Sequence, residues 1–419
     1  MAWAYTELAE LSLAKPQYGA NAKAAAPEPN DPKPNYLRIT DIDDCGRLVG
    51  IDRKVADLVE TDQYRLNEGD LLVARTGNTV GKSYLYDPAD GDCIFAGYLI
   101  RFRINQQKIL PKLALYFTLS PAYKNWVQSK KRVGGQPNIN GAEYSTLKIP
   151  YPEGFPEQHR IIEILDQADA LRRKRREADA LSERILPALF HRMFGDVVSN
   201  TNQWPIKPLG EVSESRLGKM LDKGRDGGVS PKSYLANLNV KWGEFDLSNL
   251  RTMDFSEKDQ TEFKLEDGDV LVCEGGEVGR SAIWRSEITD VYFQKALHRV
   301  RVDRQSLTPE YYQMYMKAMA ENNGFDKHVG IAVIGHLTGV KLKKLPIPTP
   351  PLELQLEFSK NYIQIQNLDA NGRSSSKHLE TLFQSLLRRA FEGRLTANWR
   401  ETHAELKEGL QELEHQAKA

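Results

Sequence analysis

Several stretches of this 419-residue chain carry residue types that could do chemistry, and their spacing decides whether they can. Thr76-Gly-Asn-Thr-Val-Gly-Lys-Ser83 approaches the phosphate-cradling pattern G-x-x-x-x-G-K-[ST], in which backbone N–H groups and a lysine hold a nucleotide. Three residues rather than four separate Gly77 from Gly81, and strand-like residues follow where a helix should open. The stretch therefore reads as a strand-turn-strand with turn glycines, and a P-loop-like nucleotide hydrolase is the rival reading. Asp43-Asp44 reads as a turn rather than an acid/base couple, and lone histidines such as His298 and His336 read first as hydrogen-bonded structural groups. The eight histidines contain no HExxH, and no Gly-x-Ser-x-Gly is present. Cys45, Cys93 and Cys273 are too far apart for a CxxC site and odd in number, so they are expected to be reduced and structural. Neither an N/D-P-P-Y/F methyltransferase motif nor a Gly-rich cofactor turn occurs. A non-catalytic chain with no metal or cofactor of its own is expected.

The elements that position these residues come twice. Tyr64-Arg-Leu-Asn-Glu-Gly-Asp70 and Leu71-Leu-Val73 are echoed about 199 residues later by Phe263-Lys-Leu-Glu-Asp-Gly-Asp269 and Val270-Leu-Val272. Phe95 to Ile104 falls on Phe293 to Val302, and Ile139 to Pro152 aligns without a gap on Leu337 to Pro350. Trp3-x4-Leu8-Ala-Glu10 and Trp204-x4-Leu209-Gly-Glu211 open the two copies with one spacing. Other positions differ in type, so the copies share a scaffold and not necessarily a ligand.

Within each copy short alternating runs, Tyr36 to Thr40 and Leu99 to Ile104 among them, mark a β-rich head. Helical signals intervene at Leu110 to Gln128 and Thr308 to Ala320, and prolines end each head. Glu157 to Phe194 then has no Gly, with Ile161, Ile164, Ala168, Leu171, Ala178, Ile185 and Leu189 at coiled-coil spacing and Pro187 able to bend the last turns. The second copy offers Leu356, Ile363, Leu379, Leu382, Leu386 and Phe391, but Asn371 to Ser376 is expected to kink or break its helix. The expected fold class is α+β: two β-rich heads, each followed by a long helix, with the helices packed as an antiparallel coiled-coil-like spacer. The expected boundaries are 1–152 and 198–350 for the heads, 153–197 and 351–396 for the helices, and 397–419 for a charged tail. Two helices of some 35 residues would each be roughly 50 Å long.

Lys plus Arg and Asp plus Glu number 57 each, which leaves no net charge and excludes a histone-like basic coat. With 40% hydrophobic and 27% charged residues the chain is expected to fold, and with no membrane-length apolar run it is expected to be cytoplasmic. The charge is nevertheless uneven. Leu99 to Lys148 carries nine Lys and Arg against Glu143 alone, and Leu297 to Pro346 carries eight against four acids. Basic loops with Tyr123, Gln136, Asn138 and Asn140 suit a DNA duplex: Lys and Arg hold phosphates, while Arg, Asn and Gln can pair with base edges. The DNA-contacting candidates are Arg75, Asn78, Lys82, Lys130, Lys131, Arg132, Gln136 and Asn138 in the first head. In the second they are Lys219, Lys223, Arg225, Lys232, Arg280, Lys327, His328 and His336. The run Arg172, Arg173, Lys174, Arg175, Arg176 wraps its helix and is expected to face solvent or a partner, the four arginines being the partner-binding candidates. A tandem-repeat scaffold without a nucleic-acid role is the second rival.

Two heads with following helices resemble the specificity (S) subunits of type I restriction-modification systems. Ile149-Pro-Tyr-Pro-Glu-Gly-Phe-Pro-Glu-Gln-His-Arg-Ile-Ile162, Leu345-Pro-Ile-Pro-Thr-Pro-Pro-Leu-Glu-Leu-Gln355 and Leu386-Leu-Arg-Arg-Ala-Phe-Glu-Gly-Arg-Leu-Thr-Ala-Asn-Trp399 carry the resemblance over nearly the whole chain. It implies that each head is a target recognition domain reading half of a split sequence in double-stranded DNA. The helices would set the unread gap and bind two methyltransferase subunits, with two restriction translocase/nuclease subunits joining. S-adenosylmethionine, ATP and Mg²⁺ would then sit on those partners and none on this chain. A spacer near 50 Å would separate the contacts by on the order of 15 base pairs.

Overall fold

The computed structural model describes residues 3–49, 53–130, 137–220, 231–329 and 336–403. Two compact units emerge, one of Met1–Arg176 with Ser375–Ala419 and the other of Glu177–Ser374.

In the first unit an antiparallel sheet runs in the order Gln17–Tyr18, Leu99–Arg103, Asp70–Ala74, Ser83–Leu85. Alternate side chains of a strand point to opposite faces. Leu71, Val73, Ile100 and Phe102 accordingly enter one core with the helical residues Leu113, Phe117, Ile161 and Leu165. Leu72, Ala74 and Leu99 enter a second core with Leu37, Tyr84 and Phe95. Burial on both faces is why Leu71-Leu-Val-Ala74 is continuously apolar. Asn35–Leu37 pairs in parallel with Cys93–Phe95. Trp3–Glu7 pairs antiparallel with Lys148–Pro152, and the chain then enters the helix Phe155–Ser182. The end of the helix Leu352–Phe391 completes the first core through Phe383, Leu387, Ala390 and Phe391.

The second unit repeats the frame. Its sheet runs Ser213–Leu217, Leu297–Val302, Val270–Cys273, Ser281–Ile283, and Pro231–Leu235 pairs in parallel with Val291–Phe293. Here the core is completed by Leu186, Phe190 and Phe194 of the helix Ile185–Phe194, packed with Tyr311, Phe358 and Tyr362. Gly19 and Gly218 occupy equivalent close approaches: a Cβ at either would collide with the carbonyl oxygens of Phe95 and Ala96, or of Phe293 and Gln294.

Two buried side chains fasten each frame. Gln158 accepts from the N–H of Leu110 at 2.8 Å and donates to the carbonyls of Lys108 (3.2 Å) and Pro152 (2.9 Å). Gln355 repeats this with the N–H of Thr308 (3.0 Å) and the carbonyls of Ser306 (3.1 Å) and Pro350 (2.8 Å). Each glutamine ties the first turn of its long helix to the head's exit and to the start of a core helix. Arg101, fully buried, donates to the carbonyls of Arg65 (2.5 Å) and Gln63 (3.2 Å), to Gln17 and to Asp70 (3.2 Å). Arg299 reaches the equivalent carbonyls of Lys264 (2.8 Å) and Glu262 (3.3 Å), while Arg301 takes over the buried carboxylate, Asp269, through two bonds of 2.7 and 2.8 Å. Burial pushes the Asp70 carboxyl up and the Arg101 guanidinium down despite their contact. The pair therefore fixes position more than it adds stability.

The helices depart from the expected pattern at Asn371 to Ser376, and the bend expected at Pro187 is a full break. No break occurs at Asn371 to Ser376: the helix Leu352–Phe391 runs unbroken for 40 residues. One helical Gly costs about 1 kcal/mol against Ala, too little to interrupt a helix with no proline inside it. The first helix breaks instead, at Glu183 and Arg184, between Phe155–Ser182 and Ile185–Phe194. Pro187 has no N–H to give the carbonyl of Glu183, and its ring crowds that carbonyl. Within the first unit the two helices run antiparallel, Arg172 meeting Glu380 at 2.6 Å; within the second, Ser182 meets Asp369. The buried seam is Ile161, Leu165, Ala168 and Arg172, and Leu171 is exposed.

Gln158→Leu and Gln355→Leu are each expected to strand one buried N–H and two carbonyls. The cost should be about 1–3 kcal/mol per stranded group, read by urea unfolding. Arg101→Met should destabilise the first unit by about 3–5 kcal/mol, because Asp70 is left buried without its cation; a loss under 1 kcal/mol would contradict the staple.

Candidate nucleic-acid interface

The loops at the sheet ends are where the sequence places its DNA-contacting candidates, and the structure separates those held inside the protein from those presented outward. Lys82 donates to the carbonyl of Ile42 at 3.1 Å and pairs with Asp44 at 3.0 Å. Lys219 is held by the carbonyl of Asp254 (2.6 Å) and by Asp259 (2.7 Å), with its ammonium over the Phe255 ring. Burial alone would raise the Asp259 carboxyl, but Lys219 and Ser256 hold it below the usual carboxylate range. Lys232 pairs with Asp290 at 2.5 Å, and Arg280 bonds Asn237 (2.5 Å) and Glu277 (3.2 Å). These four cations are spent on their own heads.

Arg75 differs. It follows the strand Asp70–Ala74, with its guanidinium 4.8 Å above the Tyr18 ring and Nε 3.4 Å from Asn138 Oδ1. Among the described residues no carboxylate pairs with it. Its backbone N–H donates to the carbonyl of Tyr98 (3.0 Å), and its own carbonyl accepts from Ile139 (2.9 Å). Tyr18 and Tyr98 are both exposed, Tyr98 at 65%, and the Tyr18 hydroxyl accepts from the N–H of Gly141 at 2.9 Å. Asn138 and Asn78 are also exposed. Arg75, Asn138, Tyr18 and Tyr98 thus meet on one surface. Lys130, at the end of the helix Pro121–Lys130, lies 5.6 Å from the Trp126 ring.

In the second head the strand Val270–Cys273 is followed by Glu274, whose N–H donates to the carbonyl of Ala296 (3.1 Å) and whose carbonyl accepts from Leu337 (2.8 Å). His336, exposed, lies over Gly275, where a Cβ would stand 2.9 Å from its Nδ1. Glu274 and His336 therefore occupy the places of Arg75 and Asn138. Lys131, Arg132, Gln136, Lys223 and Arg225 lie outside the described residues, as do the side chains of Lys327 and His328 in the helix Gly324–Val329.

Other sequence expectations need correction. Tyr123 is buried and donates to the carbonyl of Gly81 at 3.0 Å, and Asn140 caps the helix Gly141–Ser145; neither is offered to a duplex. Arg101 and Arg299, counted in the basic segments, are core residues. Arg172 does not face a partner: it is buried, pairs with Glu380 and Asp169, and lies 3.9 Å over Phe383. Arg176 donates to the Cys45 sulfur at 3.0 Å, and Arg173 approaches Asp169 at 3.9 Å. Arg175 also has a partner within the protein. Beside Gly77 to Ser83, Ser83–Leu85 is a strand, and the neighbouring cleft includes Asp43 and Asp44, carboxylates that would repel a nucleotide's phosphates. Tyr18, Tyr98 and Glu274 were not legible as candidates singly, although the repeat alignment sets Glu274 opposite Arg75 and could have found it.

Two copies of one sheet-and-helix frame, presenting unlike side chains at the same loop ends, define a tandem recognition protein. The family described as the type I restriction modification DNA specificity domain matches residues 21–178 and again 202–370, and the chain belongs to that family. It is 24% identical over 384 residues to the EcoKI type I restriction enzyme specificity subunit of Escherichia coli K12, covering 84% of this chain and 80% of that one. It is 24% identical over 378 residues to the StySPI specificity subunit of Salmonella potsdam, with the same coverage. The fold is similar to that of the type I restriction-modification S subunit from M. genitalium, with a TM-score of 0.56 at 14% identity over 93% of this chain and 96% of that one. No helix among the described residues is long and apolar enough to cross a membrane.

Beneath the second head's loop ends His298 stands where the first head has Ile100. It is buried, and its Nε2 has no hydrogen-bond partner among the described residues. Burial lowers its pKa below the ordinary histidine value, with Glu274 and the Leu337 carbonyl only partly opposing. Below about pH 6.5 the unfolded chain takes up a proton that the folded head resists, so stability falls as the pH falls. His298→Ile should remove this loss. Urea unfolding at pH 7.5 and 5.5 is expected to show a larger drop for the parent than for the variant, and equal drops would contradict the assignment.

Proposed function

We propose that the chain is the non-catalytic DNA-reading subunit of a type I restriction-modification complex, and that its heads read the two unlike halves of an asymmetric, interrupted DNA target. The observation that carries this is the matching of one DNA-specificity domain twice along one chain, on like frames whose loop ends differ in charge and shape. Boundaries of 1–152 and 198–350 would make each head one target recognition domain. The relatives of Escherichia coli and Salmonella potsdam are by name specificity subunits of restriction enzymes, which supports partner subunits here. On this reading the long helices hold two methyltransferase subunits and set the unread gap, and two restriction subunits complete the assembly. S-adenosylmethionine, ATP and Mg²⁺ would be bound by those partners in the cytoplasm.

Phosphate contacts would come from partly exposed cations such as Lys130 and from exposed ones such as Lys124. Since four of the six described candidate cations are engaged internally, binding by the chain alone should be weak with a shallow salt dependence, tightening when methyltransferase subunits enclose the duplex. The decisive experiment replaces 1–152 with the corresponding head of another specificity subunit and sequences the methylated motif in cells that also make the cognate methyltransferase. One half of the motif should change while the other half stays. An unchanged motif, or one changed throughout, would defeat the assignment of heads to half-sites.

A further inference from the structure

We infer that Arg75 and Glu274 are repeat-equivalent base-reading residues, Arg75 reading a guanine edge in one half-site and Glu274 the amino group of a cytosine in the other. This rests on the DNA-reading function proposed above and adds which residues discriminate and what they discriminate. Equivalence is fixed by the backbone. Both residues follow the central strand of their sheet, both donate their N–H across to the adjacent strand's start (Tyr98 or Ala296), and both accept from the loop that precedes the last short helix of the head (Ile139 or Leu337). The neighbours change with them: Tyr18, Tyr98 and Asn138 around Arg75 become Leu217, Ala296 and His336 around Glu274.

The chemistry follows from what each side chain lacks. Of the described cations proposed for contact, Lys82, Lys219, Lys232 and Arg280 each have a carboxylate partner, but Arg75 is supported by the Tyr18 face and the Asn138 side chain instead. A ring beside a planar guanidinium limits its orientation, and the N–H groups not shared with Asn138 are of the kind that pairs with the O6 and N7 acceptors of guanine. No hydrogen bond or ion pair holds the Glu274 carboxylate among the described residues, and the group whose charge it faces is the buried His298 beneath it. A carboxylate at a DNA surface is repelled by phosphates and accepts only, so the group that suits it is a base amino donor, most simply cytosine N4. The larger Tyr18 and Tyr98 surfaces would pack beside the first contact, whereas Leu217 and Ala296 leave room around the second.

The test uses the full chain with its cognate methyltransferase subunits and reads the methylated motif genome-wide for the parent, Arg75→Gln and Glu274→Gln. Glutamine keeps the length of Glu274 and replaces the Arg75 guanidinium with a shorter neutral amide, and thermal unfolding of each variant checks that the head is intact. Arg75→Gln should relax or shift preference at a single G·C pair of one half-site by roughly tenfold or more, leaving the other half-site unchanged. Glu274→Gln should do the same at one C·G pair of the opposite half-site. A uniform fall in methylation with an unaltered motif would make these residues phosphate contacts or frame residues and overturn the inference. So would changes confined to the same half-site for both variants. If the parent chain directs no interrupted motif at all, the functional reading of the preceding subsection fails instead, which is a different result. Should Arg75→Gln lower the unfolding temperature sharply, Arg75→Lys replaces it: a point charge kept without the planar edge should still relax that one pair, and retention of the parental motif would overturn the inference.

Discussion

A single buried amide at the junction of head and helix governs how each copy is built. Gln158 and Gln355 satisfy the same three backbone groups, one N–H and two carbonyls, in surroundings from which water is excluded. An apolar residue would fill the space but leave those groups unpaired, and a charged one would need a counter-ion the site lacks. The amide locks the first turn of each long helix to the last strand of its head and to the beginning of a core helix. The proline-rich exits on either side add rigidity, but the glutamine sets the direction in which the helix leaves.

Charge is distributed by the same logic. Several arginines and lysines that looked available as a basic surface are structural: Arg101 and Arg299 hold loop carbonyls, Lys219 and Lys232 hold carboxylates, and Arg172 lies against Phe383. Part of the apparent basic surface is therefore spent inside the heads. Cations engaged in this way add nothing to non-specific attraction to phosphate and leave discrimination to groups such as Arg75.

Much of this architecture was legible in the chain because repeats expose it: an offset near 198 predicted two like sheets, and the strands pair accordingly. Helix continuity was misjudged because local propensity is a weak force. Gly372 was overridden by the turns on either side of it, whereas Pro187, which removes a hydrogen bond outright, broke the other helix. The contact surface was legible only in part. Composition cannot tell a lysine paired with Asp259 from one facing solvent, since the partner lies 40 positions away. Arg75 and Asn138 were found by type; Tyr18 and Tyr98 were not, because an exposed tyrosine in an alternating run looks like any strand residue. Glu274 is not marked by its type, because acids are not sought in a DNA-reading loop; its equivalence to Arg75 in the repeat marks it.

The division of the helices between the units bears on the order in which a ribosome completes them. The second unit is one uninterrupted stretch, Glu177–Ser374, while the core of the first needs Phe383 to Phe391, made more than 200 residues after most of its strands. A nascent chain therefore holds its first head with an uncovered apolar face while the later head is being finished. That interval is when the first head is exposed to aggregation or to capture by a chaperone, and the completed Leu352–Phe391 helix ends it.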